Sequence, residues 1–582
     1  MRDVIVVGAG GGGAVVAKEL AARGLDVLLL EAGPRWAQTE KQWSHYERKA
    51  NNPASGYFRF GPSDLKKGPW RRDLPQYCYL WQTGGVGGST VHFFGNCPRP
   101  PRGVFAGGSG DYDPHRFPFP YEELVPYFEW VEHTLPVQTA PMGTKEEVFL
   151  RGATRMGLRV QTGKDLEGEA CRAQPNAILQ PAGKAGKAKN PKYPAAKGCT
   201  FCGHCLEGCI EPRGAPRNLR AKRSTDTSYI PMALTANRWG NGRAVELVAD
   251  AFVLRVDLLP VAGLRPLAGG VTWRSTKTGR QTTEEARVVV LAGGCVETPR
   301  LWFRSGLPNP NDRVGRGLTD HYPDFVIGRF SSYTGSTRGP GSNARADFPG
   351  YGSLEVMALP PALQAYGLAF SASGIAGFYD NGRGTTAGAD VTGRLVGKRL
   401  KRFIQDVDKL INVLVLTDDD VEPQNRVTLS HTSPADENGA IARVEVPYRA
   451  RSARTVRNRE FLAAKAVQLL RAAGAKEIAR MDLAPVVFHL HSTMRTGADQ
   501  TDSVVDPNGE SWSVGRLFVA DNSALANGVG GVNPTLTTQA LATRTAEKIF
   551  VKYFGGEPWV GKESPVSSID AAVTRAVKAA GL

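Results

Sequence analysis

Four cysteines stand at Cys199, Cys202, Cys205 and Cys209, a CxxCxxCxxxC run inside GCTFCGHCLEGCIEP. Thiolates at that spacing in a short loop bind soft metals, and an iron–sulfur cluster and a zinc ion both satisfy it. Gly198, Gly203 and Gly208 supply the turns such a loop requires. In two-cluster runs of this type the fourth cysteine serves the other cluster; with no second run here, one loop supplies three ligands to a single cluster. The remaining cysteines, Cys78, Cys97, Cys171 and Cys295, are isolated in sequence and read as buried apolar side chains. Eight cysteines in 582 residues are too few for a disulfide scaffold.

A second chemical signal sits at the N-terminus. Val4 to Val7 form a β-branched apolar run that ends in Gly8-Ala9-Gly10-Gly11-Gly12-Gly13, and AVVAKELAARG then reads as an amphipathic helix. Gly8 permits a tight turn, Gly10 lets backbone approach a pyrophosphate, and Gly13 lets helix and strand pack closely, with phosphates at the helix N-terminus. A further apolar run, Asp26 to Leu30, ends in Glu31, about 20 residues past the glycines, where a ribose-binding acid belongs. The continuation Glu31-Ala32-Gly33-Pro34 resembles the ending seen in FAD enzymes, so FAD is the expected dinucleotide.

The elements that must position these groups make a large unit. At 582 residues, two domains or one interwoven body are expected. With 41% hydrophobic and 22% charged residues the composition is that of a globular protein, and no apolar run is long enough to cross a bilayer. The net charge of +16 is spread along the chain, concentrated only between Lys184 and Arg223, which argues against nucleic-acid binding. The opening run is too short for a signal peptide, so the expected location is cytoplasmic, or periplasmic by co-export with a partner subunit. No repeat is visible, and Pro181 to Lys197 reads as a loop.

Further motifs follow in order. GGVGGSTVHFFGNCPRP begins at Gly84 and carries Gly88, Ser89 and His92, a polar glycine-dense segment suited to lining a ligand. Val288 to Leu291 read as a buried strand running through Gly293-Gly294 into a helix. VGRGLTDHY spans Val314 to Tyr322 and EPQNRVTLS spans Glu422 to Ser430. HLHSTMRTG begins at His489, LFVADNSAL at Leu517 and GVNPTLTTQALATRTAEKI at Gly531. Together these resemble the glucose-methanol-choline family of FAD-dependent oxidoreductases over nearly the whole chain.

The resemblance implies an α/β fold, with a Rossmann-like FAD-binding domain built from discontinuous segments and a substrate domain on a mainly antiparallel sheet. The boundaries expected are 1–160, 225–325 and 501–555 for the FAD domain, 161–224 for the cysteine-rich insertion, 326–500 for the substrate domain, and 556–582 for a C-terminal tail. It places His489 on the family's active-site histidine, in the pattern His-x-x-Gly-Thr, with Ser492 replacing the glycine. Asn533 falls on the second active-site position, histidine or asparagine in the family, so the chain is similar to the His/Asn subgroup. A histidine titrating near neutrality can take the hydroxyl proton as hydride leaves the carbinol carbon, while asparagine can only donate to the same oxygen.

Asp521 resembles the family's FAD-contacting acid, and Pro534 and Thr535 open a helix whose N-terminus can face the flavin. His92 lies in a stretch similar to one that carries a histidyl-linked flavin in pyranose oxidases; covalent and non-covalent contact both stay open. Gluconate, fructose and glucose dehydrogenase subunits resembling this chain carry cysteine-rich insertions at about this place. The reading is therefore a dehydrogenase acting on a small alcohol or sugar, with an electron-accepting protein or small partner subunit. The alternative is an oxygen-using alcohol or sterol oxidase with a zinc or purely structural cysteine loop. Selectivity lies in the region from Phe330 to Thr417, where no motif survives.

Overall fold

The computed structural model describes residues 1–35, 79–80, 82–181, 198–262, 264–372, 395–431, 435–446, 451–481 and 486–582. Cys78 and all but the first residue of the Pro181–Lys197 stretch lie outside these. Two seven-stranded sheets organise the chain, one for each half of the expected site.

In the first, β1 (Arg2–Val7) is central, parallel to β2 (Val27–Leu30) on one side and to the strand Gln281–Leu291 on the other. Glu246–Val248 extends the sheet beyond β2, and Leu517–Val519 pairs in parallel with Gln281–Leu291. Val4, Ile5 and Val6 are wholly buried because both faces of this parallel core are covered, so they form an unbroken apolar run. The far end of Gln281–Leu291 turns antiparallel against Leu267–Ser275, which pairs with Ala251–Leu259.

The glycine turn has the geometry its composition predicts. Gly8 has φ +106°, and a Cβ on Gly13 would lie 1.9 Å from the Gly8 carbonyl oxygen, so only glycine lets the next helix, α1 (Gly13–Ala21), begin there. Sequence periodicity suggests an amphipathic α1, and here the structure differs, since all nine residues are buried. The helices Tyr229–Leu234 and Thr535–Phe554 pack on it, and Trp130 of Tyr121–Thr134 reaches it. Its polar residues are consumed internally: Lys18 donates to Glu19 at 2.9 Å, and the Trp130 indole donates to the same carboxylate.

The second sheet runs in the order Glu477–Arg480, Asp324–Arg329, Leu410–Thr417, Gly352–Met357, Ala344–Phe348, Ala170–Ala173 and Arg159–Val160, antiparallel except for the last pair. The two-residue alternation divides its faces. Val326, Leu354, Val356, Val413 and Val415 pack with Leu462, Ala466, Leu469 and Leu470 of the helix Ala453–Ala473. The other face, bearing Phe325, Leu414, Glu355 and Met357, lines a cavity shared with the first sheet. Among the described residues no helix is long and apolar enough to cross a membrane.

Candidate active site

A cavity of about 510 Å³ runs from the C-terminal end of β1 to the second sheet, lined by Gly8, Gly10, Glu31, Gly88, Ser89, His92, Asp521, Pro534 and Thr535 at one end, and by His489 and Asn533 at the other. The twelve residues expected at the dinucleotide and catalytic positions thus meet around one space or, as Gly13 does, shape the turn beside it. Gly88, at φ +52°, would put a Cβ 2.8 Å from Gly10 Cα, so the two glycine loops form a cradle that side chains would fill. Glu31 accepts from the amides of Ala9, Gly33 and Gly85, each at 2.9 Å, tying the turn to both loops. Asp521 accepts from the Gly294 amide at 2.8 Å and Thr298 Oγ1 at 2.7 Å. This glycine cradle with its anchored acids fits FAD.

At the opposite end of the cavity His489 and His321 form an ordered pair of imidazoles. His321 Nε2 lies 2.9 Å from the Gly528 carbonyl, which can only accept, so Nε2 carries the proton. Burial drives His321 down to about 3, so the ring is neutral and its Nδ1 is a bare acceptor. His489 Nδ1, 2.9 Å away, must therefore donate to it. Burial and the neighbouring His321 also hold His489 well below the usual histidine range. The consequence is a neutral His489 whose Nε2 lone pair is left for the cavity. Asp320 fixes the backbone by accepting from the His489 amide at 2.8 Å.

Ser492 explains the family glycine it replaces: its φ is +72°, a left-handed backbone, and its buried hydroxyl has no partner among the described residues. His491 is also fully buried, 5.0 Å from the His321 ring, and does not line the cavity.

Asn533 is oriented from behind. Arg345 Nη1 donates to Asn533 Oδ1 at 3.2 Å, while Glu355 accepts from the Asn533 amide, leaving the second N–H of that amide for the cavity. Arg345 is wholly buried and also bonds Asp347, Gln174 and Glu355. Pro534 caps the helix Thr535–Phe554 and does not occupy its first helical position, a one-residue shift from the sequence reading. Thr535, the first residue of that helix, lines the cavity wall, and its amide has no partner within the helix.

His92 donates from Nδ1 to the Leu206 carbonyl at 2.8 Å, and burial lowers it to about 4, so it is neutral with Nε2 unspent. Leu206 lines the large cavity, while its neighbour Cys205 lines a second cavity of about 240 Å³ together with Cys199, Cys202 and Cys209. All four cysteines of the run thus surround one space. Among the described residues, however, no three His, Cys, Asp or Glu side chains converge to hold a single metal ion. The side-chain placement among the described residues therefore shows neither an iron–sulfur cluster nor the zinc site that the spacing also allows.

Lys222, fully buried, lines this cavity and donates to the carbonyls of Val91 at 2.6 Å, Phe93 at 3.0 Å and Cys205. It stitches the cysteine loop to the ligand-lining segment. Cys97, Cys171 and Cys295 are buried free thiols, as expected.

His321, Arg345, Glu355 and Lys222 are absent from the residues chosen from sequence. His321 lay within the quoted VGRGLTDHY stretch but nothing there paired it with His489, and Arg345 and Glu355 lie in a region without motifs.

Comparison with known proteins agrees with this geometry. The GMC oxidoreductase family is matched by its N-terminal model over residues 167–323 and its C-terminal model over 421–542, and an NAD(P)-binding Rossmann-like model matches 6–66. Paromamine 6'-oxidase of Streptomyces fradiae is 28% identical, covering 94% of this chain and 91% of its own. The 2-methyl-1,2-propanediol dehydrogenase of Mycolicibacterium austroafricanum is 26% identical, covering 94% and 95%. A crystal structure of formate oxidase shares the fold at 14% identity, with a TM-score of 0.60 over 95% of this chain and 99% of that one. With both GMC models matched in order on a chain that carries the glycine cradle and its Rossmann-like sheet, the chain belongs to the GMC oxidoreductase family of flavoenzymes.

Proposed function

We propose that this enzyme oxidises a CH–OH group of an alcohol or sugar to C=O, with His489 as general base and Asn533 as the hydrogen-bond donor to the reacting oxygen. The observation that carries the reading is the His489 Nδ1–His321 Nδ1 contact, which leaves Nε2 as the acceptor on a histidine that lines the cavity. His489 Nε2 takes the hydroxyl proton, and the carbinol hydrogen leaves with its electron pair. The Gly8–Gly13 turn, Glu31, Gly88 and Asp521 would hold FAD, which would supply the acceptor for that hydride. Asn533 donates its free N–H to the substrate oxygen, which limits the orientations from which hydride can leave. The low-dielectric walls strengthen both contacts.

The cysteine cavity supports a finer reading, in which Cys199, Cys202, Cys205 and Cys209 enclose an iron–sulfur cluster, with one cysteine to spare if three ligate. The support for it is that all four thiols of the tight CxxCxxCxxxC run line one cavity. Such a group supplies a one-electron outlet, which favours a dehydrogenase with an external or protein acceptor over an oxygen-using oxidase. Dye reduction without peroxide formation is expected; stoichiometric peroxide from oxygen would favour the oxidase. For the base itself, His489→Ala should slow flavin reduction by roughly a hundredfold while FAD stays bound, read by anaerobic stopped-flow absorbance. An unchanged rate would reassign the base.

A further inference from the structure

The substrate class is written on the face of the second sheet that the cavity exposes. Phe325, Leu414 and Glu355 are direct cross-strand partners in one row, Phe325 opposite Leu414 and Leu414 opposite Glu355. Met357 follows Glu355 on the same face by the two-residue alternation. Met357 and Leu414 form a buried apolar cluster against which Phe94, Phe325, Leu359 and Phe488 pack partly buried, and all six line the cavity. The wall around His489 and Asn533 is thus aromatic and aliphatic.

Most of the polar groups at this end are already spent. Glu355 accepts from Arg345 at 3.2 Å, Asn96 at 2.9 Å, Ser342 at 3.2 Å and the Asn533 amide. Those four donors, with Gln174 as a fifth, fill the acceptor sites of a carboxylate, and Arg345 balances its charge. Apart from His489 Nε2 and one N–H of Asn533, both committed to the reacting hydroxyl, the polar atom left beside Glu355 is Asn96 Oδ1, an acceptor for at most one further hydroxyl. A sugar carries several. Each hydroxyl buried without a partner weakens transition-state binding by roughly tenfold or more.

We propose that the substrate is an alcohol whose skeleton beyond the reacting carbinol is apolar, an aliphatic or aromatic primary alcohol, and not a sugar or polyol. This rests on the proposed hydroxyl oxidation at His489 and narrows it to one class. Apolar surface buried by the substrate drives selectivity, so each added methylene raises kcat/KM by roughly three- to fourfold until the wall is covered.

The test uses FAD-loaded enzyme under anaerobic conditions. Flavin reduction is followed with the straight-chain series from ethanol to 1-octanol, with benzyl alcohol, and with D-glucose, D-fructose and glycerol. In parallel, 2-methyl-2-hexanol, a tertiary alcohol that cannot be oxidised to a carbonyl, is titrated against the absorbance of the oxidised flavin. The expected result is kcat/KM rising along the series, D-glucose at least a hundredfold below 1-hexanol, and a saturable flavin perturbation by the tertiary alcohol. Phe325→Ala, and independently Leu359→Ala, should lower kcat/KM for 1-hexanol about tenfold and flatten the rise along the series.

A sugar or glycerol reacting better than 1-hexanol overturns the inference and leaves hydroxyl oxidation standing. Perturbation by 2-methyl-2-hexanol with no reduction by any alcohol overturns the oxidation reading while the apolar site stands. Neither perturbation nor reduction overturns both.

Discussion

His489 and His321 meet nitrogen to nitrogen, Nδ1 to Nδ1, at 2.9 Å, and the Gly528 carbonyl beyond them decides which nitrogen holds the proton. The order Gly528 O, His321, His489 fixes His489 in the tautomer with Nε2 bare, without a carboxylate on its Nδ1. His321→Ala should lower flavin reduction about tenfold by releasing that tautomer, at the scale of one lost buried hydrogen bond. His321→Asn, which keeps one donor and one acceptor, should recover most of it. Stopped-flow reduction of both variants at equal FAD occupancy checks this, and equal defects in the two would show a merely structural role.

The same contact sets the pH response. Burial and His321 both lower His489, so the free base is present at neutral pH and is lost only as pH falls through its depressed value. Flavin reduction should be flat above about pH 6.5, with its acid limb below the ordinary histidine value. In His321→Ala the limb should move upward in pH, because the neighbouring ring's lowering effect is gone. A limb for the unaltered enzyme centred above 7 would contradict the assignment.

Asn533 can be tested by an isosteric exchange. Asn533→Asp keeps an acceptor for Arg345 but removes the N–H toward the cavity and sets a carboxylate beside Glu355. Flavin reduction should fall roughly a hundredfold, the scale of one lost transition-state donor, with FAD still bound. A rate within threefold of the unaltered enzyme would show that Asn533 does not touch the reacting oxygen.

Ser492 occupies a left-handed backbone with its hydroxyl buried and unpartnered. Ser492→Gly should stabilise the fold by about 1 kcal/mol, because glycine adopts that φ without the Cβ penalty. Calorimetry should register this as a Tm rise of about 1–2 °C, given the size of the chain, with catalysis unchanged. A fall in Tm would mean that the hydroxyl has a partner in solution.

The cysteine cavity predicts iron and inorganic sulfide in protein purified without oxygen, and no stoichiometric zinc. Cys202→Ser should leave substrate-driven flavin reduction within about threefold and slow reoxidation by the outward acceptor. Elemental analysis with zinc and no iron would end the electron-outlet reading, and general instability of the variant would accompany it.

The sequence by itself determined what is local. Strand, glycine turn, helix and Glu31 fall within one βαβ unit, where spacing alone dictates geometry, and the end of the strand, the turn and Glu31 line one cavity. The cysteine run is local in the same sense, and its four residues do surround one space. Even here periodicity missed that α1 is buried on every side, because its covering helices come from distant parts of the chain.

What the tertiary structure decided is distant pairing. His321 lies 168 residues from its partner His489, and Arg345 lies 188 from Asn533, so no period or spacing in the sequence relates them. The apolar substrate wall depends on strand register, since a one-residue slip would turn Phe325, Leu414 and Met357 toward the helix Ala453–Ala473 and bring the opposite face to the cavity. Residue types supplied the chemistry, but the protonated nitrogen, the orientation of the amide and the face seen by the substrate were fixed by packing between elements far apart in the chain.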